Sequence, residues 1–144
     1  MRAALALAVA AVAVAVAVAG CGGEAGDLLA VERSGSIPGA PLELRFTVDG
    51  RVSCNRGALR ELHSDQVIDA RSIERELAGE EGKPGPAARD VHLPARPGSV
   101  LRYRARVEAG TVTFADTSRP QPAVFFEIQK LTRDVARSVC ELPR

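Results

Sequence analysis

Three cysteines, two histidines and one run of alternating arginines carry most of the chemistry open to this chain. His63 and His92 lack ligand spacing and no C-x-x-C pair is present, so no metal site is expected. The nucleophile pattern G-x-S-x-G and the metallopeptidase pattern H-E-x-x-H are both missing. No catalytic residue and no cofactor are expected, and both histidines read as surface residues. Arg102, Arg104 and Arg106 alternate along an apolar segment, which in a strand sets three guanidinium groups about 7 Å apart on one face. Such a stripe can grip carboxylates or phosphates, and it can equally be a solvated face balanced by neighbouring acids. A second binding candidate is Ser34, Gly35, Ser36, Ile37, Pro38 and Gly39. Proline and glycine near a strand end lower the ordering cost of binding, and the same residues make an ordinary loop. The segment lacks the Lys-Ser/Thr of a phosphate-binding loop.

The N-terminus reads as targeting. Met1-Arg2 precedes an unbroken apolar run, Ala3 to Ala19, and then Gly20-Cys21-Gly22-Gly23. One positive residue, an apolar stretch and small residues at its end form the three-part signal-peptide pattern over residues 1–20. At seventeen residues the run is marginal for a transmembrane helix, and a retained N-terminal anchor is the alternative. Val18-Ala19-Gly20-Cys21 resembles the lipobox of bacterial lipoproteins, in which the cysteine is acylated and becomes the first residue. The resemblance implies lipid on Cys21 and a protein held at the outer face of the cell membrane. Stable anchoring takes at least two acyl chains, each buried methylene adding about 0.8 kcal/mol. Residues 21–27 then read as a Gly-rich tether.

With Cys21 assigned to lipid, Cys54 and Cys140 remain. An exported chain meets an oxidising compartment, so the two are expected to form a disulfide, with two free buried thiols as the alternative.

Removing residues 1–20 leaves 124 residues, enough for one core. Loss of Arg2 leaves basic and acidic residues equal at 18 each, which gives no electrostatic case, from net charge, for nucleic acid or for an anionic membrane surface. Phe46, Tyr103, Phe114, Phe125 and Phe126 fall in apolar patterns and read as core, and there is no Trp. A stacking groove for sugars or bases is therefore not expected.

The elements that must position these residues follow from periodicity. Leu28 to Arg33 reads as a first strand, and Leu42, Leu44, Phe46 and Val48 alternate as a second. A three-residue loop, Val48-Asp49-Gly50, pairs Phe46 with Val52 and Leu44 with Cys54 and keeps one face apolar. Ser64 suits an N-cap, Val67, Ala70, Ile73 and Leu77 form a helical stripe, and Gly79 ends it. Residues 79–99 hold four Gly and four Pro without periodicity and read as a long loop, functional or disordered. A second hairpin around Ala109-Gly110 is expected to pair Val107 with Val112 and Ala105 with Phe114. Pro122 suits a helix start, and Val124, Ile128, Leu131, Val135 and Val139 form the last stripe. The expected fold over residues 28–144 is a single α+β domain: an antiparallel sheet of about five strands with two helices on one face.

The lipobox, the stretch from Glu32 to Gly39, the Asp49-Gly50 turn, Cys54, Cys140 and the segment Tyr103 to Asp116 together resemble small lipoproteins of high-GC Gram-positive bacteria. That resemblance implies a location and no mechanism. The loop is also similar to that of emfourin-type inhibitors of thermolysin-like metallopeptidases, which carry Ser-Gly-Gly-x-x-Gly between early strands; here Ser36 replaces the second Gly and Pro38 intrudes. The leading expectation is a lipid-anchored, non-enzymatic domain that binds a protein or envelope component. The alternatives are a protease inhibitor using the Ser34–Gly39 loop and an envelope enzyme.

Overall fold

The computed structural model describes residues 26–142. The leader expected over 1–20, the lipid expected on Cys21 and residues 21–25 of the expected tether lie outside the described residues. Eight strands and two helices follow in chain order: β1 (Asp27–Gly35), β2 (Leu42–Thr47), β3 (Arg51–Cys54), β4 (Leu59–Glu61), α1 (Ser64–Ala78), β5 (Gly79–Glu80), β6 (Lys83–Pro84), β7 (Leu101–Val107), β8 (Gly110–Ala115) and α2 (Ala123–Ser138). The main sheet has six strands in the order β4-β3-β2-β1-β7-β8, and β5 and β6 form a separate ribbon. All paired strands are antiparallel, so the fold is α+β as expected.

The first hairpin has the expected register, Leu44 opposite Cys54 and Phe46 opposite Val52. Gly50 takes φ +85°, which an L side chain resists, and Thr47 Oγ1 accepts the Arg51 amide at 3.1 Å. Inward-facing Leu29, Val31, Leu44, Phe46, Val52, Ala105 and Val112 are all buried against the helices. Each such Leu, Val or Phe contributes about 1.5–3 kcal/mol on leaving water. Tyr103, Phe114 and Phe125 form a stack, with centroids 5.2 and 4.3 Å apart, that joins β7 and β8 to α2.

Several expectations are corrected. β1 begins at Asp27, whose carboxylate meets Arg45 at 2.8 Å, so the domain starts one residue before Leu28. β4 is an added strand, too short to show alternation. The second hairpin is shifted by two residues: Val107 pairs with Gly110, Ala105 with Val112 and Tyr103 with Phe114. A shift of two keeps every side chain on its face, so patterning could not exclude it. The cap of α1 is His63 and not Ser64; the His63 amide donates to Gln66 Oε1 at 3.1 Å. Phe126 is no core residue but is 47 % exposed, with the Arg119 guanidinium 5.6 Å from its ring centroid.

Residues 79–99 are ordered by backbone bonds that sequence periodicity does not report. The Ala87 amide donates to Leu77 O at 2.9 Å, at the C-terminal end of α1. Val91 to Leu93 then runs beside β8: the Thr113 amide donates to Val91 O (3.2 Å) and the Leu93 amide to Thr113 O (2.8 Å). The segment thus covers the β8 edge, whose open N–H and C=O groups would otherwise invite pairing with other chains.

Candidate anion-binding surface

The period of two along β7 buries Tyr103, Ala105 and Val107 and turns Arg102, Arg104 and Arg106 outward, all three exposed. Pairing with β1 sets Ser34 opposite Arg102, Glu32 opposite Arg104 and Ala30 opposite Arg106. On the other side lie Ala115, Thr113 and Thr111 in the same order. Glu32 is thus the single acid in direct cross-strand register with the stripe. Its neighbour Glu43 is engaged by Arg56 at 2.8 Å, and Asp27 by Arg45. Among the described residues, none of the three stripe guanidiniums makes a hydrogen bond or ion pair. Glu43 and Asp27 are thus committed elsewhere, and Glu32 is left as the acid beside Arg104.

A groove of about 650 Å³ runs over this face, floored by Glu32, Ser34, Arg102, Arg104 and Thr113 and walled by Leu93 to Ala95. A second depression of about 400 Å³ adjoins it through Ser34 and Arg102 and takes in Ser36 and Ser99. The two binding candidates of the sequence therefore meet at one place. Ser34 and Gly35 belong to β1, opposite Arg102 and Leu101, and not to a loop. Gly35 lets the Val100 carbonyl sit where a Cβ would be, and that carbonyl accepts the Ser36 amide at 3.1 Å. Asp116 fixes the partner segment, accepting from Ser99 Oγ (2.8 Å), the Val100 amide (3.2 Å) and the Leu101 amide (3.3 Å). Beneath the stripe, burial pushes the Tyr103 hydroxyl above its ordinary value, while Arg33 opposes this.

The loop proper is Ser36 to Gly39. Arg33 holds it, donating from Nε to Ala40 O (2.9 Å) and from Nη2 to Gly39 O (3.0 Å). Ile37 remains 43 % exposed at the tip.

One arrangement escaped the sequence reading. His92 Nδ1 lies 2.7 Å from Thr113 Oγ1 and its Nε2 lies 3.0 Å from Asp90 Oδ1. In the tautomer with the proton on Nε2, that nitrogen donates to the Asp90 carboxylate and Nδ1 accepts a hydrogen bond from the Thr113 hydroxyl. The order resembles a nucleophilic relay, but the His92 and Asp90 side chains are 48 % and 78 % exposed. Water at that exposure weakens the coupling severalfold relative to a buried relay, so the line serves better as a strap holding the covering segment on β8. The only advance signal was the D-x-H spacing. Groups of His, Cys, Asp or Glu able to hold a metal do not occur among the described residues. Nor is any described helix long and apolar enough to cross a membrane. Comparison with protein-family models, curated proteins and solved structures found no match.

Proposed function

We propose that this chain is a lipid-anchored, extracytoplasmic binding domain, not an enzyme, whose outer sheet face takes carboxylate or phosphate groups of an envelope component. The observation that carries the reading is the row Arg102, Arg104 and Arg106, free of ion pairs among the described residues, of which Arg102 and Arg104 line the depressions that take in Ser34 and Ser36. Guanidinium groups repeated at strand spacing suit an extended anionic chain, and the serine hydroxyls add neutral donors at one end. The lipobox at Val18 to Cys21 supports the anchoring. The test is affinity capture from envelope extract, comparing the wild type with a variant carrying Arg102→Glu, Arg104→Glu and Arg106→Glu. The wild type should recover a partner that high salt releases, and the variant should lose it. Equal recovery by both proteins would overturn the surface assignment. Anchoring is tested separately: Cys21→Ser should abolish lipid labelling, and a wild-type N-terminus at Met1 would exclude a cleaved lipoprotein.

A second reading, protease inhibition, is favoured by the exposed Ile37 on a tip already held by Arg33. Preorganisation of this kind lowers the cost of binding. An inhibitor should slow a thermolysin-like protease stoichiometrically, with Ile37→Asp removing most of the effect. No slowing at micromolar excess would retire this reading.

A further inference from the structure

The chain enters the domain beside the first hairpin turn, where the Val48 amide donates to Gly26 O at 3.1 Å. α1 lies across this same end. It starts where the Leu62 amide donates to Gly50 O (3.1 Å), and it finishes against Ala87, which packs on Gly110 of the second hairpin turn. On its solvent side Ile68, Arg71 and Arg75 stand at i, i+3 and i+7, the spacing of a single helical face. All three are exposed, Ile68 at 66 %. Arg71 Nη2 donates to Val48 O at 3.3 Å and joins this face to Val48, itself 50 % exposed. The acids of α1 fall to either side. Asp69 meets Lys130 of α2 at 3.3 Å, Asp65 and Glu76 share that flank by spacing, and Glu74 lies on the other.

We propose that Val48, Ile68, Arg71 and Arg75 form a docking face for the anionic phospholipid membrane that holds the lipid of Cys21. The inference rests on the lipid-anchor reading and adds a non-covalent contact and an orientation. Aliphatic side chains flanked by arginines suit the boundary of headgroup and acyl chain: the former enter it and the latter meet phosphates. Five residue steps separate Cys21 from Gly26, a span of at most about 18 Å, so the entry end of the domain is the end brought to the bilayer. β1 leads away from that end for nine residues, about 26 Å from its first Cα to its last. Ser34, Ser36 and Arg102 are thereby held at the far end, turned toward whatever lies beyond the membrane.

The chain contains no Trp, so one introduced indole reports one place. The full chain, matured to the lipidated form, is reconstituted in vesicles of phosphatidylglycerol and brominated phosphatidylcholine. Its emission is compared with that in the same vesicles without bromine, and vesicle flotation is scored in parallel. Ile68→Trp and, independently, Val48→Trp should be quenched, while Ile37→Trp at the opposite end should not. Adding Arg71→Glu and Arg75→Glu to Ile68→Trp should restore its emission. Unquenched Trp at both 48 and 68 in protein that floats would overturn the docking face and leave the anchor standing. Quenching at 37 instead would also overturn it, by placing the opposite end on the bilayer. Wild-type protein that fails to float would remove the anchor reading, and this proposal with it.

Discussion

Cys54 and Cys140 bring their Cα atoms to 5.9 Å across 86 positions of chain, with their sulfurs bonded. Cys54 ends β3 opposite Leu44, and Cys140 follows α2, its amide donating to Val135 O at 3.0 Å. The bond therefore pins the end of the helix layer to a strand near the sheet edge. Arg60 of β4 closes the same corner, donating from Nη1 to Val139 O at 2.7 Å. Closing so long a loop restricts the unfolded chain by about 4–5 kcal/mol in the chain-entropy view. The double variant Cys54→Ala with Cys140→Ala is expected to lose about 2–5 kcal/mol of stability and to melt lower. Reductant should do the same to the wild type; unchanged melting in both would show that the bond contributes nothing.

Thr132 in α2 is 1 % exposed, and its Oγ1 has no hydrogen-bond partner among the described residues. A buried hydroxyl without a partner costs about 1–3 kcal/mol relative to water. Thr132→Val keeps the shape and removes the hydroxyl, so it should raise the urea midpoint with an unchanged slope. A lower midpoint would mean that the hydroxyl has a partner in solution.

Gly110 is placed so that an added Cβ would fall inside the Ala87 carbonyl, and its φ is +151°. Gly110→Ala must displace either the second hairpin turn or the covering segment, at a cost of about 1–3 kcal/mol. Gly26→Ala meets nothing within 4 Å and is the matched control, expected to melt like the wild type. Equal melting of the two variants would contradict the close approach.

Two carboxylates should respond to pH with opposite sign. Hydrogen bonds from the Arg51 and Thr47 side chains hold Asp49 below its ordinary value of 3.8. Its contribution is present above pH 3.8 and is lost as pH falls through the lower folded value. Glu127 is pushed above 4.5, first by burial and then by Glu76 and Asp69. Below pH 4.5 it is protonated in both states and costs nothing; as pH rises through its higher folded value the penalty becomes complete. Thermal melts at neutral pH should therefore find Asp49→Asn less stable than the wild type and Glu127→Gln more stable. Both differences should vanish in strong acid; shifts of the same sign would refute the contrast.

The amino-acid sequence alone determined whatever depends on neighbours along the chain. Alternation at Leu44, Phe46, Val52 and Cys54, with a glycine able to take positive φ between them, excluded registers one residue away, which would turn Val52 and Cys54 to the wrong face, and favoured the one adopted. The stripes of α1 and α2 and the pairing of Cys54 with Cys140 were legible for similar local or arithmetic reasons. Tertiary structure decided what local pattern leaves degenerate. Registers two residues apart keep the same face on β7 and β8, and the close fit of Gly110 to Ala87 accompanies the one adopted. Residues 91–93 show no period, because their backbone serves the β8 edge while their side chains form no repeating face. Above all, β1 pairs with β7 some seventy positions later. That contact brings Ser34 beside Arg102 and turns two separate candidates into one surface. Periodicity reports which side chains share a face; which faces meet is set by long-range pairing, whose free energy is spread over the whole core.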